Sequence, residues 1–193
     1  MLARHHRSLN VATLLMTTLL PAAAMAHPGH EPGNLMAGVL HPLTGLDHVL
    51  VIAAVSAWAA QLRLQARMLV LAGLAVAVPL GAMLPFVPAN TAWLEVALAM
   101  TVVGSGLLLA FGRKLPLAAA GTLGAGFALL HGLAHGLEGP RDALAYVPGL
   151  ALATVALTAI ASVIASALLA RGRQGWLQAA GIISAISGAA MLV

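Results

Sequence analysis

The chain contains no cysteine, which excludes disulfide bonds and thiolate metal ligands and leaves the redox compartment unmarked. Charge is nearly as scarce. Only 7% of the 193 residues are charged, against 61% hydrophobic, and the mean hydropathy is +1.00. No soluble domain has that balance. The formal net charge of +4 would suggest a nucleic-acid partner in a soluble protein. Here the basic residues are few and stand in pairs between apolar segments, where they act as topology signals. No ATP-binding motif and no low-complexity stretch occurs. These absences leave an all-α integral membrane protein, with the lipid bilayer as its surroundings and no nucleic acid as a partner.

Residues 1–26 read as a cleaved signal peptide. Arg4 and Arg7 form a positive start, Val11 to Leu20 an apolar stretch shorter than the ~20 residues a span needs, and Ala24-Met25-Ala26 a small-x-small cleavage site. Residues 27–193 then form a single domain of six transmembrane helices, expected near 35–60, 66–87, 91–112, 115–138, 143–170 and 175–193. Arg63 and Arg67, Arg113 and Lys114, and Arg171 and Arg173 fall in alternate loops. That places these loops in the cytoplasm and the mature N-terminus outside. Met36, Met68, Met83 and Met100 are expected to fill the core.

Against this apolar background, two clusters stand out because hydrocarbon cannot solvate them. The first is His41-Pro42-x-x-Gly45-x-Asp47-His48 and the second is His131, His135 and Glu138. His41 and His48, seven residues apart, share nearly one face of a regular helix. Asp47 points about 120° away in a regular helix. Pro42 and Gly45 beside these residues read as an unwound segment at an ion site rather than a simple kink, and an unwound turn at Gly45 would let Asp47 join it. His131, His135 and Glu138 make one narrow stripe. Each cluster lies roughly 9 Å from the external end of its span, at ~1.5 Å per residue. Glu95 lies near the same end of the third span. Imidazole and carboxylate together suit first-row divalent metals, and the lack of cysteine argues against a cuprous site. His27, His30 and Glu31 would stand at the mouth as a capture site. Gly132-x-x-x-Gly136 and Ser184-x-x-x-Gly188 mark faces for close helix packing.

The two histidine motifs, with Phe127 four residues before His131 and with Glu95, resemble the HupE/UreJ family of hydrogenase and urease accessory membrane proteins. The likeness covers nearly the whole mature chain. It implies a permease or secondary transporter that carries Ni²⁺, or Co²⁺, from periplasm to cytoplasm across the bacterial inner membrane. The ion is cargo, and no permanently bound cofactor is expected. The resemblance implies metal-pathway roles for His41, Asp47, His48, His131, His135 and Glu138, and for Glu95. Thr158 stands where many members have a histidine. Two other readings are open: an intramembrane metal-dependent hydrolase, for which His131-x-x-x-His135 is half a motif with Gly132 in place of the general-base glutamate, and a bis-histidine haem protein. No enzymatic activity is expected.

Overall fold

The computed structural model describes residues 34–84, 91–140 and 143–193. The expected signal peptide and the histidines at 27 and 30 lie outside the described residues. Among those described, every element is an α-helix: α1 (Leu35–Thr44), α2 (Leu46–Ala59), α3 (Leu64–Ala82), α4 (Ala92–Phe111), α5 (Leu117–Glu138), α6 (Ala143–Ala170) and α7 (Gln174–Ala190). Four of them, α3 to α6, are long and apolar enough to cross a bilayer, so the protein is a multi-pass membrane protein by length and composition. At 17 residues, α7 is at the lower limit of a span.

The span expected over 35–60 is two helices, broken where Pro42 and Gly45 stand beside the ionisable residues. α1 and α2 meet at 83° around Gly45, whose backbone is extended at φ −95° and ψ 118°. The local sequence explains the break. Pro42, inside α1, has no N–H to give the helical ladder. Thr44 donates its hydroxyl to the His41 carbonyl at 2.7 Å, which satisfies one of the acceptors left open at the helix end. At the other end, the Asn34 side chain caps α1 by accepting from the Ala37 N–H at 2.8 Å.

Packing is centred on α2. It lies against α3, α4, α6 and α7, and its buried stripe runs from His48 through Val51, Ile52 and Val55 to Trp58 at helical spacing. At its far end Trp58 Nε1 donates to the Arg113 carbonyl at 2.8 Å, and Gln61 Nε2 donates to the Leu109 carbonyl at 3.2 Å. These bonds tie the end of α2 to the end of α4. There Gly112 takes the left-handed conformation, φ 57°, that stops the helix.

Lipid gives apolar helices no hydrophobic reason to associate, so close backbone approach must supply the attraction. Gly132 and Gly136 do this for α5: a Cβ on either would run into the α3 backbone, at Val78 or Ala82. Gly188 abuts α4 in the same way, at Val103 and Ala99. Gly38 and Gly149 interlock α1 with α6, each facing the other helix's backbone. Gly149→Ala should therefore lower stability by about 1–3 kcal/mol, measured as thermal unfolding in detergent. An unchanged midpoint would show that this crossing is not tight. The methionines depart from expectation. Met36, Met68, Met83 and Met100 are all more than half exposed and face outward, because small residues already occupy the helix crossings.

Candidate metal site

The break at Gly45 determines how the ligating side chains meet. His41 stays in the last turn of α1, while Asp47 and His48 open α2. Asp47 therefore leaves the face a regular helix would give it and joins the site. The first turn of α2 also favours a carboxylate electrostatically.

Two adjoining groups result, within each of which the ligating atoms lie within 4.8 Å of one another. The inner group is Asp47, His48 and His131, and the outer group is His41, His135 and Glu138. In the inner group Asp47 Oδ1 accepts from His48 Nδ1 at 2.8 Å, while Oδ2 lies 4.0 Å from His131 Nδ1. Both histidines are buried. In the outer group His41 Nε2 is 3.5 Å from Glu138 Oε2, and the Glu138 side chain is 51% exposed, so this group opens outward. The rings of His48 and His135, with centroids 4.0 Å apart, join the two groups. α5 serves both, since His131 and His135 are one turn apart on its buried face.

The donor set suits a divalent ion. His48 Nε2, His131 Nδ1 and both nitrogens of His135 are buried and find no hydrogen-bond partner among the described residues, an arrangement costly unless a cation or water uses those lone pairs. Two ligands on opposite sides of one ion, with bonds of ~2.0–2.2 Å, stand about 4 Å apart. Small side-chain movements would thus close either group around a metal.

Six of the residues singled out in the sequence come together here. Glu95 does not: it is exposed in the first turn of α4 and lies outside both groups. Its depth was legible from the helical rise, but the face of α4 that it occupies was not. Thr158 is buried on α6, its hydroxyl without a partner among the described residues, and it too lies outside the groups. Sequence reasoning missed Thr101, whose Oγ1 is 2.7 Å from His131 Nε2, and Tyr146, whose ring packs edge-on against His41 with centroids 5.6 Å apart. Neither residue type signals a metal site on its own.

The HupE / UreJ protein family model matches residues 14–191, and with them every element described above. The chain is 36% identical over 185 residues to the protein HupE of Rhizobium leguminosarum bv. viciae, an alignment that covers 95% of this chain and 97% of that protein. No solved structure matches. A match over almost the full length, including both histidine motifs, makes the conclusion plain: the chain belongs to the HupE/UreJ family.

Proposed function

We propose that this protein is a permease or secondary transporter that moves Ni²⁺, or Co²⁺, from the periplasm to the cytoplasm for the assembly of a nickel enzyme such as hydrogenase or urease. One observation carries the reading: six ligating side chains, from the half-exposed Glu138 to the buried His131, form two adjoining groups inside a bundle of apolar helices. A structural site would be a single closed set of ligands, whereas a transit path needs binding that is strong enough to strip water from the ion and weak enough to release it. Broken helices whose ends face the ion are a recurring device of secondary transporters, and the α1–α2 break fits that pattern. In this reading α1 and α2 together make the first of six spans and α7 the sixth. The signal peptide is removed and the mature N-terminus is periplasmic, with His27 and His30 capturing metal ahead of the outer group.

The hydrolase alternative loses its main support, because His131 and His135 fall in different groups. In addition, Gly132, at the motif's glutamate position, packs against the α3 backbone.

The test is uptake into liposomes that hold only the purified protein, compared across Ni²⁺, Co²⁺, Zn²⁺ and Fe²⁺. Saturable Ni²⁺ or Co²⁺ entry is expected, lost when a chelator holds the external ion. Failure to admit any of the four ions would overturn the reading.

A further inference from the structure

We infer that Thr101 is a positioning residue: its hydroxyl fixes the tautomer of His131 so that a bare Nδ1 lone pair faces Asp47, which makes the inner group a cation site rather than a closed histidine–aspartate hydrogen bond. The inference rests on the metal-path reading of this cluster and concerns a residue that lies outside the ligand set.

A threonine hydroxyl has one hydrogen to donate. Thr101 gives it to the Leu98 carbonyl, 2.6 Å away on the same helix; two oxygens that close with no proton between them would repel. Toward His131 Nε2, at 2.7 Å, Thr101 can therefore only accept, so Nε2 carries the proton. A neutral imidazole carries one N–H, and Nδ1 is left with its lone pair. Nδ1 is the buried nitrogen with no hydrogen-bond partner among the described residues, and it faces Asp47 Oδ2 across 4.0 Å.

That gap separates two acceptors. Nothing attracts them to each other, and a cation between them attracts both. In the opposite tautomer Nδ1–H would donate to Asp47, the gap would close to ordinary hydrogen-bond length near ~2.8 Å, and the ion would have to break that bond to enter. The other half of the group follows the same rule. Asp47 Oδ1 takes the His48 Nδ1 proton at 2.8 Å, which turns the His48 Nε2 lone pair into the free one. Carboxylates and hydroxyls that hold a ligating histidine in this way typically control metal affinity 10–100-fold. Thr101 is suited to the task because it is itself buried and rigid at χ1.

Thr101→Val keeps the side chain's shape and removes the hydroxyl, whereas Thr101→Ser keeps the hydroxyl. In equilibrium Ni²⁺ binding to the detergent-purified full chain, Thr101→Val should weaken affinity by about 10–100-fold, and Thr101→Ser should stay within about threefold of the parent. Nitrogen-15 NMR of histidine-labelled, metal-free protein gives a readout independent of binding. The parent should show an Nε2–H imidazole that disappears in His131→Gln and loses its hydrogen-bonded shift in Thr101→Val. An Nδ1–H tautomer at His131 in the parent would overturn the inference, as would parent-like Ni²⁺ affinity in Thr101→Val. If Thr101→Val does not fold, the parent's tautomer and the serine variant decide. Parent-like Thr101→Val beside an inactive His131→Gln sinks this inference alone. Normal binding and uptake by His131→Gln sinks the transport reading itself.

Discussion

His48→Ala should abolish Ni²⁺ uptake, by on the order of 100-fold or more, in a protein that still folds and inserts. His48 belongs to the buried group and its ring lies 4.0 Å from that of His135, so its loss removes both a ligand and the link between the groups. It also strands Asp47 Oδ1, which now accepts the His48 proton. An ion that reaches the outer group would then face a carboxylate and one imidazole instead of three converging ligands. Glu138→Gln should act differently. Its side chain is half exposed at the outer group, so it should act mainly on capture and raise the half-saturating concentration about tenfold. Uptake kinetics of both variants, set beside His131→Ala, give the test. Identical effects at His48 and Glu138 would remove the two-step path, and normal uptake in His48→Ala would remove the site.

Gly45→Ala should reduce uptake by about 10–100-fold, although it adds a single methyl group. The backbone there is extended with negative φ, which alanine tolerates, so the effect is not backbone strain. A Cβ at this position would sit 2.5 Å from His48 Nδ1 and 2.9 Å from Asp47 Oδ1, against the hydrogen bond that orients the inner group. Alanine also favours a continuous helix by ~1 kcal/mol over glycine, and a straight α1–α2 would return Asp47 to the wrong face. The variant should remain helical by circular dichroism while its Ni²⁺ affinity falls. Unchanged affinity would show that neither the bend nor the close approach to His48 and Asp47 depends on glycine here.

Much of this was legible in the sequence because charge is so expensive in hydrocarbon. Histidines and carboxylates inside apolar segments had few explanations, and their spacing on α5 put His131, His135 and Glu138 on one stripe of that helix. The glycines of α5 announced its contact with α3 for a similar reason, since lipid-embedded helices need small residues to meet. Direction around a helix axis was harder to read. Position along a helix follows from counting residues, but the face that Glu95 occupies does not, because the rotation of α4 is set by its packing against α2 and α7. The break at Gly45 was legible because Pro42 and Gly45 stand beside ionisable residues in an apolar segment, where an unwound turn serves an ion site. Thr101 carried no signal at all. A threonine in an apolar helix usually satisfies itself on its own backbone, and only the position of His131 gives its second lone pair a role.

The stripe beyond His48 bears on how fast such a protein can work. Val51, Ile52, Val55 and Trp58 fill the stripe, with the buried hydroxyl of Ser56 among them, and the end of α2 is bolted to α4 through Trp58 and Gln61. In the proposed transport, an ion moving along this stripe would meet one hydroxyl and no charged ligand. Passage requires the helices to part and reseal, and collective movements of that kind take microseconds to milliseconds or longer. Flux through such a bundle is counted in ions per opening. The proposed transport would then level off at the frequency of helix motion however steep the gradient, as a carrier does.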